Sequence, residues 1–228
     1  MKPFTSIITT THNREESLIK HLECLTKQKT NFEFEILVLD DYFESKDSTK
    51  EIVSSFGATY VHTGKTKQGK NIWRVPGFAL NIGSKLTSSD ILTTTGADIL
   101  LQGEEDYQKM IDVYIEKQCL VTVNSIMYEG SFSSTRMPWF MTIPKETFFY
   151  VRGYDEDFTG VAAEDNDLMD RLMSLKQLVK APIDILHQDH ERTSDWLTPE
   201  RKQYNINLWH SRKGQIIRNQ NREWGLFE

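Results

Sequence analysis

Apolar and polar residues alternate in blocks along the first half of the chain, in a pattern that predicts strands followed by helices. Residues Thr5 to Thr11 and Phe34 to Asp40 are short β-branched or apolar runs, typical of buried strands. Between them, Leu18, Leu22 and Leu25 recur at the spacing of one helix face. Strand, helix and strand in this order predict a βαβ unit with parallel strands.

The alternation of predicted strands and helices continues beyond this unit. Strands are predicted at Thr59 to His62, Asp90 to Thr94, Cys119 to Asn124 and Trp139 to Ile143, and helices at about Gly77 to Leu86 and Glu105 to Lys117. We therefore expect an α/β fold with a Rossmann-like mixed sheet flanked by helices. No linker or repeat divides the chain, so a single domain is expected over residues 1–197, with a helical tail at 198–228 packed on it.

Two capping boxes are predicted at the starts of the first two helices. Asn13 followed by Glu16, and Ser48 followed by Glu51, have the spacing in which a short polar side chain caps the helix and an acidic one bonds back. Gly57 is expected to end the second helix, because glycine readily adopts the conformation found at helix ends. These caps would define where the loops begin.

Composition favours a soluble domain with a substantial core. The 228 residues are 38% hydrophobic and carry a net charge of -6, which provides no global attraction for nucleic acid or an anionic membrane. Cys24 and Cys119 lack the spacing of a metal finger or a secreted disulfide framework, so reduced, buried thiols are expected. No apolar run approaches the roughly 20 residues that span a bilayer, and a cytoplasmic protein is expected.

Polar and acidic residues follow the predicted strands, where open α/β sheets bind ligands. Asp40 and Asp41 follow the second strand, and Asp98 follows the fourth. No glycine-rich phosphate loop is present, so a phosphate would need another partner. Carboxylates at strand ends attract a hard cation, and such a cation can carry a diphosphate. Taken singly, each of these residues is better explained as part of a turn or a helix cap.

Acidic residues crowd one stretch of the second half. They are Asp155, Glu156, Asp157, Glu164, Asp165 and Asp167. Leu168, Leu172 and Leu175 recur at helical spacing after them, which predicts a helix that begins near Glu164. The helix dipole explains one or two acids at a helix start, but mutual repulsion makes the whole set costly. A bound cation or a hydroxyl-bearing ligand is therefore expected nearby.

Four motifs occur in the order seen in family 2 glycosyltransferases, which the sequence resembles from roughly Thr5 to His190. They are TTHNR at Thr10, LDD at Leu39, AD at Ala97 and GYDEDFTGVAAEDNDL at Gly153. The last motif resembles the galactosyltransferase region shared by β-1,4-galactosyltransferases and chondroitin-synthesising enzymes. The resemblance implies a GT-A fold, a uridine diphosphate (UDP) sugar donor, Mn²⁺ or Mg²⁺, and inversion at the anomeric carbon.

The resemblance also implies residue roles on the donor side. Thr10, Thr11 and Asp41 would contact the nucleotide, Arg14 and Arg74 would lie near the nucleotide or the diphosphate, and Asp98 would bind the metal. The family's metal motif is D-x-D, whereas Gly96 occupies the first of those positions here. His187, at the end of a late predicted strand, is the candidate additional metal ligand, and His190 is the alternative.

On the acceptor side, Asp165 matches the family's general base, which takes the proton of the attacking hydroxyl. Glu164 would either bind the acceptor sugar or support that base. Trp139 and Phe140 offer an aromatic platform for a sugar, although core packing explains at least one of them. The acceptor itself is expected to be a glycan or another hydroxyl-bearing molecule.

Three other interpretations remain open from the sequence. The tail has a basic bias, from Arg201, Lys202, Arg212, Lys213, Arg218 and Arg222. A solvated helical face is the default expectation for it, but it would also suit a diphosphate, an anionic acceptor, or a hydroxylated base in DNA. A non-catalytic sugar-binding module would explain Gly96. A nucleotidyltransferase would need a glycine-rich loop after the first strand, and TTTHNREE has none.

Overall fold

The computed structural model describes residues 2–44, 46–64, 76–128, 130–134, 138–159, 162–190 and 198–226. The strands are β1 Thr5–Thr11, β2 Phe34–Asp40, β3 Thr59–His62, β4 Ile91–Gly96, β5 Ile99–Leu101, β6 Leu120–Tyr128, β7 Ser131–Ser134, β8 Phe140–Pro144 and β9 Leu178–His187. The helices are α1 Glu15–Thr26, α2 Asp47–Ser55, α3 Pro76–Leu86, α4 Asp106–Lys117, α5 Lys145–Tyr150, α6 Glu164–Met173 and α7 Pro199–Ser211.

The strands of the described residues form one mixed sheet. Their order is β3-β2-β1-β4-β8-β6-β9-β5, and β7 pairs with β6 beyond the end of β8. Strands β1 to β4 are parallel to one another, whereas β8 runs antiparallel to β4 and β6. The expected α/β fold with a mixed sheet is confirmed. Because β1, β2 and β4 are parallel, their carboxyl ends meet at one edge, where polar residues follow each strand.

Hydrophobic side chains fill a layer on each face of the sheet. Ile7 and Ile8 are adjacent in β1 and belong to different core clusters, as the two-residue period of a strand requires. One layer includes the leucines of α1 and Tyr107 of α4. The other joins α3, α5 and α6 to Trp224 near the end of the described chain. Helix α6 is therefore held against the sheet by its apolar face.

The two predicted capping boxes are wrong. Helix α1 begins after Arg14 and α2 after Lys46, and neither start has a side-chain cap. Asn13 instead has a positive φ of 53°, and its side chain accepts a hydrogen bond from Lys46. Ser48 donates to Glu15 at 2.6 Å. The side chains of Asn13 and Ser48 thus form hydrogen bonds between the starts of α1 and α2 instead of capping their own helices.

Some elements differ from those predicted. The short β5 and α5 were not predicted, because three and six residues are too few to show a period. Gly57 follows α2 with a φ of 70°, as predicted for a residue at a helix end.

Cys24 and Cys119 are free thiols, as expected. Among the described helices, none combines the length and apolar character needed to cross a bilayer.

The acidic stretch is neutralised largely by arginines of the tail. Arg218 lies 2.6 Å from Asp167 and 3.1 Å from Asp155, and all three side chains are almost fully buried. Arg171 of α6 donates to the other oxygen of Asp167 at 2.8 Å. Arg212 contacts Asp155 as well. We call Asp155, Asp167, Arg171, Arg212 and Arg218 the buried ion network.

Two predictions about charge are therefore corrected. Asp155 and Asp167 do not need a bound cation or ligand, because arginines pair with them. The default expectation of a solvated basic tail fails for Arg212 and Arg218, and also for Arg222, which pairs with Asp157. A buried carboxylate is stable only with such a partner, which is why Arg218 lies inside rather than in water. Arg212 is partly buried, and Arg222 pairs with Asp157 while staying exposed.

We expect the substitution Arg218→Met to lower the free energy of unfolding by about 3 kcal/mol, because two buried carboxylates each lose a partner. Arg222→Met is the matched control. Its side chain is 45% exposed, and loss of an exposed pair costs about 1 kcal/mol or less. Urea unfolding of both variants tests the difference. Equal stability of the two variants would contradict a structural role for the buried pairs.

Candidate active site

A cluster of one carboxylate and two imidazoles lies beyond the end of β4. Strand β5 pairs with β9 so that Ile99 faces His187, and the backbone N–H of Gln188 donates to the carbonyl of Asp98 at 2.7 Å. This pairing brings His187 Nε2 to 3.6 Å and His190 Nε2 to 3.2 Å from Asp98 Oδ2. Sequence reasoning offered the two histidines as alternatives, whereas the structure places both beside Asp98.

The electrostatics of Asp98 favour its ionised form. Burial alone raises the pKa of this carboxyl, but the hydrogen bond from His190 and the charges of His187 and Arg14 outweigh it and lower the pKa to about 2. Arg14 Nη1 lies 3.1 Å from Asp98 Oδ2. A metal ligand must be deprotonated to bind, so Asp98 is in the required state at neutral pH.

The donor set of this cluster fits a divalent cation. One ligand atom from each of Asp98, His187 and His190 lies within 4.8 Å of the other two. A carboxylate oxygen suits Mn²⁺ or Mg²⁺, and imidazole nitrogens extend the range toward softer transition metals. The mixed set therefore favours Mn²⁺ over Mg²⁺.

Gly96 has a steric reason to be glycine. A Cβ at this position would lie 2.6 Å from Asp98 Oδ1, closer than van der Waals contact permits. The family's D-x-D motif would therefore displace the Asp98 carboxylate from its present position, and His190 offers a third candidate ligand beside Asp98 and His187.

The predicted donor-binding residues lie at the ends of β1 and β2. Thr10 and Thr11 end β1, next to Asp40 in the register of β2. The two aspartates differ. Asp40 is buried and accepts hydrogen bonds from Tyr60 and the Tyr42 N–H, as in a structural turn. Asp41 is partly exposed and accepts from Thr63 at 3.1 Å.

Arg14 is next to Asp98, whereas Arg74 lies outside the described residues. A hydrogen bond from Arg14 to Asp98 therefore connects a predicted donor-binding residue with the predicted metal ligand. Trp139 lies beside the same cluster, with its ring centroid 5.3 Å from that of His187. Tyr128 was not predicted as a site residue, but its ring centroid lies 4.8 Å from that of His187. An aromatic neighbour of a predicted metal ligand has no signature in the sequence.

Glu164 and Asp165 begin α6, as predicted. Glu164 is buried, and its Oε2 accepts the backbone N–H of Ala162 at 2.6 Å. Asp165 Oδ1 accepts the Tyr154 hydroxyl at 3.1 Å. Burial raises the pKa of both carboxyls, and the Asp165 charge raises that of Glu164 further. The Tyr154 hydrogen bond moderates the rise at Asp165, whose pKa reaches about 6.

The backbone before α6 is strained. Ala162 has a φ of 126° and Ala163 a φ of 67°. Non-glycine residues pay a conformational cost in this region, and such residues concentrate at functional sites because the surrounding structure must hold them there. The two alanines direct the first turn of α6, and the carboxyl pair with it.

Comparison with known proteins identifies a glycosyltransferase domain. Residues 6–171 match the family described as glycosyl transferase family 2. The chain therefore belongs to glycosyl transferase family 2, and the family predicted from the motifs is confirmed. A curated relative, the 4,4'-diaponeurosporenoate glycosyltransferase of Staphylococcus haemolyticus (strain JCSC1435), is 33% identical over 113 residues, which are 50% of this chain and 29% of the relative.

Solved structures confirm the GT-A fold. S. aureus TarS superposes with a TM-score of 0.69 at 15% identity, over 93% of this chain and 39% of TarS. GalNAc-T7, solved with UDP, GalNAc and Mn²⁺, gives 0.70 at 12% identity, over 92% and 48% of the respective chains. The mannosyltransferase PcManGT from Pyrobaculum calidifontis, solved with GDP-Man and Mn²⁺, gives 0.61 at 16% identity, over 84% and 59%. The chain thus spans less than two thirds of each of these proteins.

We expect Gly96→Ala to weaken Mn²⁺ binding by about tenfold while leaving the fold intact. The added methyl group displaces the Asp98 carboxylate, which lies at the end of a side chain and can rotate away at little cost; a tenfold loss corresponds to about 1.4 kcal/mol. Calorimetric titration with Mn²⁺ measures the affinity, and thermal unfolding without metal is the control. Unchanged affinity would show that the Asp98 position is not required.

Proposed function

We propose that this chain transfers a sugar, with inversion, from a UDP-sugar to an acceptor hydroxyl and requires Mn²⁺ or Mg²⁺. The observation that carries the proposal is that one fold gathers Asp98, His187 and His190 and also has a carboxyl pair, Glu164 and Asp165, at the start of α6. One group of residues suits a cation that carries a diphosphate, and the other suits proton transfer. A sugar transferase needs both.

The metal role rests on the donor set and on the ionised state of Asp98. When bound, the cation would supply Lewis-acid stabilisation of the charge on the leaving diphosphate. Asp98, His187 and His190 would hold it. Arg14, beside Asp98, is placed to donate hydrogen bonds to a phosphate oxygen, since its guanidinium carries five donors. His190 offers a third ligand, so the glycine at position 96 no longer implies an incomplete metal site. The case for a non-catalytic sugar-binding module is weaker for that reason.

The UDP assignment rests on the motif resemblance and on two of the relatives. TarS has been solved with UDP-GlcNAc, and GalNAc-T7 with UDP. PcManGT, in contrast, was solved with GDP-Man, which makes guanosine diphosphate the natural comparison in a binding test. In this chain Thr10, Thr11 and Asp41 form the candidate nucleotide contacts.

Inversion requires the acceptor hydroxyl to attack the anomeric carbon from the side opposite the diphosphate, in one step that needs a base. Asp165 is the candidate base because it is partly accessible and accepts a hydrogen bond from Tyr154, whereas Glu164 is buried and bonded to the loop backbone. A positioned base contributes about 100- to 10,000-fold to such a reaction. Glu164 is better placed to support Asp165 than to bind a sugar.

The acceptor is proposed to be a glycan or another hydroxyl-bearing molecule, with Trp139 as a sugar platform. The alternative of a hydroxylated base in DNA loses support, because binding a polyanion relies on available cationic groups. Arg212, Arg218 and Arg222 are paired with carboxylates of the acidic stretch. A cytoplasmic location remains an expectation from the sequence.

We expect UDP to bind at least tenfold more tightly with Mn²⁺ than with a chelator, because the cation offsets the charge of the diphosphate. Isothermal titration calorimetry under both conditions tests this, with GDP as the comparison. Asp98→Asn should abolish the Mn²⁺ dependence of UDP binding. Asp41→Asn should weaken UDP binding, but the binding that remains should still depend on Mn²⁺. Equal affinity with and without the chelator would remove the metal role of Asp98 and His187.

We expect Asp165→Asn to lower kcat by about two to four orders of magnitude, because the amide cannot accept a proton at neutral pH. Folding and UDP binding should be unchanged. Glu164→Gln is the matched comparison, and because Glu164 supports Asp165 rather than the sugar, we expect a smaller fall in kcat with little change in the acceptor KM. Transfer is measured with a panel of UDP-sugars and acceptor sugars. Near-normal kcat in Asp165→Asn would move the base to Glu164, since the Asp167 carboxylate is buried and paired with Arg171 and Arg218.

A further inference from the structure

Tyr154 connects the core of the protein to the candidate base. Its side chain is only 2% exposed, and its hydroxyl donates to Asp165 Oδ1 at 3.1 Å. A buried tyrosine normally places its hydroxyl on a partner, and here that partner is the carboxylate proposed as the base. We propose that Tyr154 is a positioning residue that fixes the Asp165 carboxylate through one oxygen, so that the other oxygen is presented to the acceptor hydroxyl. This inference rests on the proposed function of Asp165.

The backbone of Tyr154 is held on both sides. Its N–H donates to Asn81 Oδ1 at 2.8 Å, and Asn81 Nδ2 donates back to the Tyr154 carbonyl at 2.9 Å. Asn219 Nδ2 donates to the same carbonyl at 2.8 Å. These bonds come from α3 and from the tail, which are distant from Tyr154 in sequence. The position of the residue is therefore set by two separate parts of the fold.

The ring of Tyr154 is also confined. A Cβ on Gly77 would lie 2.2 Å from Tyr154 Cγ, so α3 makes room for the ring by having no side chain there. Phe148 packs on another side, with ring centroids 6.4 Å apart. Because the ring has little freedom to move, its hydroxyl has a fixed position. A fixed hydrogen-bond donor is what is required to orient a catalytic carboxylate.

The hydrogen bond also affects the proton affinity of the base. Burial raises the pKa of Asp165, and the Tyr154 bond opposes that rise because it stabilises the ionised form. The other ionisable groups that act on this pair of side chains, among the described residues, are Glu164 and Arg171. Loss of the hydroxyl should therefore raise the pKa of Asp165 and shift the acidic limb of the pH profile to higher pH.

The test is the pH dependence of kcat for Tyr154→Phe, which removes one oxygen atom and keeps the ring. We expect kcat to fall by about tenfold at the lower end of the wild-type range and the acidic limb to move up by about one pH unit, since a bond to a charged group has about this strength. The donor and acceptor KM should stay within twofold. In an Asp165→Asn background the same substitution should have no further effect on kcat.

Tyr107→Phe is the matched control. Its hydroxyl is also buried, at 2.6 Å from that of Thr5, but belongs to the core between β1 and α4. We expect Tyr107→Phe to leave the pH profile of kcat unchanged. If losing any buried hydroxyl had a general effect, the acidic limb would shift in both variants. An acidic limb of Tyr154→Phe that coincides with the wild type would overturn the inference.

A second measurement separates this inference from the proposed function. Carbon-13 NMR of labelled aspartate carboxyls, with Asp165→Asn to assign the resonance, gives the Asp165 pKa without turnover. Absence of sugar transfer by the wild-type protein would count against the proposed function alone. The Asp165 resonance would still decide the role of Tyr154: a higher pKa in Tyr154→Phe supports it, and an unchanged pKa refutes it.

Discussion

Burial of Asp155 and Asp167 against Arg218 is the interaction on which the candidate active site depends. Charges in a protein interior are stable only when they are paired and hydrogen-bonded, so this network ties the turn before α6, α6 itself and the tail into one unit. Asp165 lies two residues from Asp167 in the same helix. The tail therefore helps to define the position of the proposed base although it contributes no residue to the proposed chemistry.

The metal cluster depends on a different constraint, the antiparallel pairing of β5 with β9. Asp98 precedes β5 directly, and His187 ends β9, so three paired residues are enough to bring them together. The chain then continues to His190, which reaches the same carboxylate oxygen. The two halves of the proposed chemistry are thus built by separate means: strand pairing for the cation cluster, and a buried ion network for the base.

Much of the fold and the identity of the main site residues were predictable, since strand periodicity and strand-end carboxylates are local properties. Asp98 with His187, and Glu164 with Asp165, were named from the sequence, and their proposed roles await experiment. The tail arginines that pair with Asp155 and Asp167 were not predicted, because more than forty residues separate Arg212 or Arg218 from either acid and sequence shows charge without showing distance. The caps at Asn13 and Ser48 failed for the same reason: a partner on another helix competed with the local one.

Gly96 has a consequence for the charge of the site. A D-x-D motif would give a divalent cation two negative ligands, whereas Asp98 with two neutral imidazoles gives it one. A cation held here would retain a net charge of about +1 before any substrate arrives. That surplus would make the site a stronger attractor for an incoming diphosphate, and would equally delay departure of the nucleotide product. Release of the spent nucleotide, rather than bond formation, would then be the step slowed by having a single carboxylate at the cation.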